Sequence, residues 1–184
     1  YASKGIEYVS SALVEIVRND IYYVIPTNVG EFTDTSDMPT SGTVSKSFET
    51  LGYYLAAINQ SNSLNYIVAD GDGTLNFDFA NNTVSGSITY DTFVPYVSFK
   101  NGTAVYNLIT SIPATTITLE DGGINGNAFA AIVVIDDGTT KGRGIIKGHF
   151  YGPNADEIAV NIFLGDVNDN ANDYFHFTAG GLGQ

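Results

Sequence analysis

Lys141, Arg143, Lys147 and His149 stand close together in a chain that has only seven Lys and Arg residues in total. All four are at odd positions. In a strand they share one side, and Tyr151 continues that face. A row of cations on one strand suits anions, either the carboxylates of an acidic partner patch or the propionates of a haem. The plainer reading pairs them across strands with the abundant acids. The second histidine, His176, lies between Phe175 and Phe177 and is expected to oppose them. Neither histidine has neighbours spaced as a metal pair, and a lone strand histidine is more often surface than ligand.

A second pattern is oxygen-rich. Asp166, Asn168, Asn170 and Asp173 lie in a run that places oxygen ligands at near-alternate positions. Calcium takes six to eight such oxygens. The central Gly and closing Glu of a calcium loop are absent, and Asx-rich turns are common without metal. A third pattern is aromatic. Tyr96, Phe99 and Tyr106 crowd a segment centred on Asn101-Gly102, a strong two-residue hairpin signal. Exposed, these rings mark an interface or a haem cleft; otherwise they are ordinary barrel positions. There is no G-x-S-x-G, no H-E-x-x-H and no phosphate loop at Gly71 and Gly73, so no enzyme is expected.

The elements that must carry these residues read as strands. Gly144–Phe163 is strand, turn, strand. Ile146, Gly148 and Phe150 share one face, Ile158, Val160 and Ile162 share another, and Gly152-Pro153-Asn154 turns the chain between them. Leu75, Phe77 and Phe79 alternate, Asn81-Asn82 turns, and Val84, Gly86 and Ile88 alternate back. Thr43–Phe48 and Leu51–Asn59 read as hairpin partners, with a helical turn as the rival for the second. Asp70–Gly73 and Asp121-Gly122-Gly123 read as turns. Phe129, Ala131, Val133 and Ile135 form one more inward face. In residues 1–38, the spacing of Ile6, Val9, Leu13, Ile16 and Val17 suits a helix over about 5–18, while their β-branching suits a strand. Ile21, Tyr22, Tyr23, Val24 and Ile25 follow as an apolar strand, and Glu31–Pro39 as a polar loop. The expected fold is all-β, an eight-stranded antiparallel barrel over 39–184 with an N-terminal apolar extension over 1–38, because closure removes exposed sheet edges.

Composition narrows the function. The 184 residues carry a net charge of −13, which opposes binding to nucleic acid or to an anionic membrane surface. No run approaches the ~20 apolar residues of a membrane helix. Cysteine is absent, so disulfides and thiolate chemistry are excluded. The chain begins at Tyr1 without Met, which raises the expectation of a processed, exported protein.

Phe150-Tyr151-Gly152-Pro153-Asn154-Ala155-x-Glu157-Ile158 resembles the barrel motif of bacterial transferrin-binding-protein-type surface proteins. Leu75-x-Phe77-Asp78-Phe79-Ala80-Asn81-x-Thr83-Val84-Ser85-Gly86 resembles an earlier strand pair of those domains, and Ser41-Gly42-Thr43 and Asn125-Gly126-Asn127-x-Phe129 match in order. The resemblance implies an eight-stranded barrel on an exported or outer-surface protein of a Gram-negative bacterium. It also implies a ligand among transferrin, complement regulators, haemoglobin or, for the secreted hemophilins, haem. The matching residues are turn glycines, core aromatics and a hairpin, so no ligand site is carried over. Set beside the family's lipoproteins, the chain is expected to lack the anchoring cysteine and the second lobe.

Two functions follow as expectations. The first is a non-enzymatic binding protein for haem or an iron-carrying host protein, contacted by Tyr96, Phe99, Tyr106, Arg143, Lys147 and His149. The second is a surface subunit that binds copies of itself by adding Ile21–Ile25 to a neighbour's sheet, with calcium screening the charge. Light scattering with and without calcium separates them. Calcium-dependent growth of large particles is expected of the subunit, and a monomer under both conditions contradicts it.

Overall fold

The computed structural model describes residues 6–18, 21–57, 64–95, 98–100, 103–105, 114–136, 141–166 and 175–184. Among the described residues twelve strands are formed. β1 is Val9–Arg18, β2 Ile21–Gly30, β3 Thr43–Ala57, β4 Leu64–Asp78, β5 Thr83–Pro95 and β6 Ser98–Lys100. β7 is Thr103–Val105, β8 Thr115–Asn125, β9 Ala128–Asp136, β10 Lys141–Tyr151, β11 Glu157–Asp166 and β12 Phe175–Gly183. Eight of them close into a barrel in the order β10-β11-β12-β3-β4-β5-β8-β9, every neighbouring pair antiparallel. This is an up-and-down meander in which β12 returns to β3. β6 and β7 form a separate two-stranded sheet, inserted in the sequence between β5 and β8. Residues 101 and 102, read as a hairpin turn, lie outside the described residues.

The alternation read from the sequence sets the inside. Leu75, Phe77, Val84, Ile88, Phe129, Val133, Ile146, Phe150, Ile158, Val160 and Ile162 all belong to one buried cluster. Phe77 is its hub: its ring centroid lies 4.8 Å from those of both Phe129 and Phe150, edge to face. Edge-to-face pairs add about 0.5–1.5 kcal/mol each beyond area burial. Tyr90 is also inside, with its hydroxyl 2.9 Å from that of Thr50. Burial pushes the Tyr90 phenol far above its ordinary value, so it stays neutral.

Glycines make room for these rings. A Cβ on Gly71 would stand 2.6 Å from the Tyr90 ring, and one on Gly73 2.3 Å from Phe48. Asp70-Gly71-Asp72-Gly73 is therefore not the expected turn. It is continuous strand, with Gly facing in beneath an aromatic and Asp facing out, and a register shift between Asp70 and Gly71. Asp121-Gly122-Gly123 is likewise a bulge inside β8, where the register against β9 shifts between Glu120 and Gly123 and Asp121 has φ 49°. Thr43–Phe48 and Leu51–Asn59 are not partners either. As far as Ala57 they form the single strand β3, paired with β4 along all fifteen residues.

The N-terminal segment is strand, not helix. β1 pairs with β2 from Val9↔Gly30 to Arg18↔Ile21, where β-branched residues suit the pleat. The β1–β2 hairpin lies on the outside of β11 and β12 of its own barrel, with Val9 buried against Tyr151, Ala159 and Leu182.

Replacing Gly73 by Ala is expected to cost ~1–3 kcal/mol through the forced shift of Phe48. Phe150→Ala is expected to cost ~3–5 kcal/mol. Denaturant unfolding measures both, and near-neutral values would contradict the packed interior.

Candidate binding face

Strand β10 runs with Gly142, Ile146, Gly148 and Phe150 inward. Lys141, Arg143, Lys147 and His149 are exposed on the outer side, as parity requires. The register decides between an anion site and cross-strand ion pairing. Lys141 is opposite Asp136, which fits pairing. Arg143 is opposite Val134 and Gly165, Lys147 opposite Ala130 and Asn161, and His149 opposite Ala128 and Ala159. Arg143 reaches Glu120 diagonally at 3.9 Å, with both side chains about half exposed. Such an exposed pair contributes about 0–1 kcal/mol. Lys147 makes no ion pair among the described residues.

The ground between these cations is apolar. Ile132, Val134 and Ile145 are half-buried on the same outer face, and Phe163, opposite Ile145, is 41% exposed. At the far end of the row stands Phe32, 52% exposed. Its ring centroid is 5.0 Å from that of His149 and 5.0 Å from that of Tyr151, stacked on the latter. Phe32 belongs to the segment read as a polar loop. It is held there because Thr33 N–H donates to the Phe150 carbonyl and Gly152 N–H donates to the Glu31 carbonyl, each near 3 Å, so Phe32 bridges to Tyr151. Its signal in the sequence is a lone aromatic in an otherwise polar run. His149 is exposed overall, but partial desolvation of its ring, against which Phe32 packs, lowers its pKa, while burial raises that of Tyr151.

The remaining candidates divide by position. The ends of β3 at Ala57, β5 at Pro95, β9 at Asp136 and β11 at Asp166 all fall at one end of the barrel, which is also where Lys141 begins β10. Phe99 is in β6, whose backbone lies near β4. Tyr96 and Tyr106, and Asn168, Asn170 and Asp173, lie outside the described residues. Asp166 closes β11, and His176 in β12 is opposite Gly165 and Leu55. Ile21, Tyr22, Tyr23, Val24 and Ile25 are paired with Val14–Arg18 of the same chain. Among the described residues no group of three or more His, Asp or Glu side chains could hold a metal ion.

A concavity of about 590 Å³ lies on the opposite wall, lined by Ser47, Glu49, Asp72, Thr74, Ser87 and Thr89 over Leu182. Glu49 and Asp72 are direct cross-strand partners there.

The fold defines a class: a closed eight-stranded antiparallel barrel whose interior is filled by side chains. Residues 38–180 match the model of the C-lobe and N-lobe beta barrels of Tf-binding protein B, and the chain belongs to that family. A search of curated proteins returned no match. Among solved structures, a single-substitution mutant of the vaccine antigen transferrin-binding protein B from Haemophilus parasuis Hp5 superposes with a TM-score of 0.54 at 18% identity. The match covers 98% of this chain and 33% of that one. A double mutant of the same antigen gives 0.52 at 18% identity, covering the same shares. HpuA from Kingella denitrificans, solved in complex with human haemoglobin, gives 0.49 at 14% identity, covering 96% of this chain and 55% of that one. The chain thus spans about a third of the transferrin-binding proteins it matches, and the likeness to them is one of fold.

The His149 shift has a pH consequence. Above its ordinary value of 6.5 the imidazole is neutral folded or unfolded. As pH falls through 6.5 toward the lower folded value, the unfolded chain takes the proton first, and stability is lost over that window. Unfolding measured against pH is expected to lose part of this slope in His149→Gln, and an identical slope would contradict the partial desolvation of the ring.

Proposed function

We propose that this chain is an exported, non-enzymatic binding domain for a host iron-carrying protein, held at the outer surface of a Gram-negative cell. The docking face is the outer wall of β9 and β10 with the end of β11 at Phe163, beyond the part of β11 that the hairpin covers. The observation that carries this reading is the row Arg143, Lys147 and His149, set among Ile132, Val134, Ile145, Phe163 and Phe32 and faced by no acid directly across the sheet. Membership of a family described as barrels of a transferrin-binding protein supports the class of partner.

The chemistry suits a protein surface more than a small ion. Apolar ground with an aromatic and an Arg is the composition of an interface core, and the cations select acidic groups at its edge. The net charge of −13 makes this row the part of the wall that an acidic partner can approach. The place of the β1–β2 hairpin on its own barrel favours docking over strand exchange between copies.

Surface-immobilised protein is to be exposed to transferrin, to haemoglobin and to free haem. Saturable binding of one iron-carrying protein is expected, weakened about tenfold or more by Arg143→Glu with Lys147→Glu, and weakened further by salt. Failure to bind any of the three, or equal binding by the charge-reversed variant, would overturn the proposal. Binding of free haem alone, with a Soret change, would replace the carrier protein by its cofactor as the ligand.

A further inference from the structure

Glu157 is the first residue of β11, and its side chain is 3% exposed. Parity places it on the outer side of the barrel, since Ile158 points in. A buried carboxylate on an outer wall needs partners. It finds them in the N-terminal segment: the backbone N–H groups of Tyr8 and Val9 donate to Oε2 at 2.8 and 3.1 Å, and that of Glu7 donates to Oε1. One carboxylate thus collects three successive backbone donors from a segment nearly 150 residues away. These are charge-assisted bonds, stronger than neutral ones. Lys46 completes the surroundings. Its ammonium donates to the Asp156 carbonyl at 2.6 Å, and its charge acts on Glu157.

Contacts other than a shared ladder hold the rest of the hairpin to the barrel. β1 and β2 form a sheet of their own and share no ladder with β11 or β12 among the described residues. These contacts include the small cluster of Val9, Tyr151, Ala159 and Leu182, a side-chain bond from Asn28 to Asn161 at 2.9 Å, the packing of Ser11 and Pro26 over Gly180, and the bridge from Phe32 to Tyr151 with the bonds of Thr33 to Phe150 and Gly152. The clasp and the bridge are linked through the chain. Glu31 N–H donates to the Tyr8 carbonyl at 3.0 Å, so the clasped residue Tyr8 holds the residue next to Phe32. Gly152, next to the bridge, leaves the space that the Tyr8 ring occupies, since a Cβ there would stand 2.8 Å from it.

We propose that Glu157 is a positioning residue for the binding face: it clasps residues 7–9, and through Tyr8 and Glu31 it sets Phe32 over His149. The hairpin is then a strap whose seating decides whether the face presents an aromatic-covered imidazole or an open one. This rests on the reading of β9–β11 as the docking face, but the seating itself is measured without any partner. Near His149 the flanking groups are Phe32, Tyr151, Ala128 and Ala159, with Lys147 two residues along the strand, so the cover on the imidazole comes from Phe32 and not from a facing charge.

The test is Glu157→Gln in the full chain, read by amide exchange and by NMR titration of the His149 ring. Expected are at least tenfold faster exchange at Tyr8 and Val9, unchanged protection at Ile146 and Val160, and an upward move of the His149 titration toward the ordinary imidazole value. Phe32→Ala is expected to move the titration in the same way while leaving Tyr8 and Val9 protected. Should Glu157→Gln not fold, Glu157→Asp, whose carboxylate stops one methylene short, is read identically. An unchanged His149 titration in the Glu157 variant, with or without loss of protection at residues 8 and 9, would overturn the coupling. A changed titration in a protein that binds no iron carrier would uphold the strap and sink only the docking reading.

Discussion

The whole molecule depends on fitting large rings into a ring of eight strands. A closed barrel of this size leaves an interior that side chains just fill. Phe77, Phe129, Phe150, Phe48 and Tyr90 occupy it, and three of these rings lie over glycines that stand directly across the ladder on the neighbouring strand: Gly73 beside Phe48, Gly71 beside Tyr90, Gly148 beside Phe129. That complementarity explains the glycines within strands, the bulge at Asp70 and the neutral buried phenol of Tyr90. It also places function outside, because the centre of the barrel is filled by protein.

The outside is not uniform. β10 and β4 are four places apart in the ring of eight and so stand on opposite walls. One wall presents Arg143, Lys147 and His149 among apolar side chains. The other presents Asp70, Asp72 and Glu49 with a row of hydroxyls. A chain so acidic in total repels an acidic partner at long range. A cationic wall with acids behind it therefore turns such a partner toward one face as it approaches. The hairpin strap borders the cationic wall and contributes Phe32 to it, so the N-terminal segment is part of the surface that the barrel offers.

Much of the barrel was legible because strand parity is local. Leu75, Phe77 and Phe79, or Ile158, Val160 and Ile162, declare an inward face without reference to anything distant. The outward cations of β10 were legible in the same way. The misread places share a cause. A glycine beneath an aromatic and a glycine in a turn are both selected for the missing Cβ, so Asp70-Gly71-Asp72-Gly73 looks like a turn until Tyr90 and Phe48 are seen above it. The N-terminal helical spacing lost to β-branching and to a partner strand. Phe32 and Glu157 were out of reach for a different reason. Phe32 meets His149 and Tyr151, and Glu157 meets residues 7–9, across more than a hundred residues. Likewise, that neutral residues stand opposite Arg143, Lys147 and His149 follows only from the register of β9, β10 and β11.

The central claim is that partners dock on the outer wall of β9–β11 beside the strap. Hydrogen exchange of the full chain, alone and mixed with an iron-carrying host protein that it binds, tests this most directly. The account predicts slowed exchange confined to residues 31–33, to β9 and β10 and to the end of β11 at Phe163, with β3, β4 and β5 unaffected. Protection confined to β3–β5, or to the strand ends at Ala57, Pro95 and Asp166 with β10 unchanged, would contradict it.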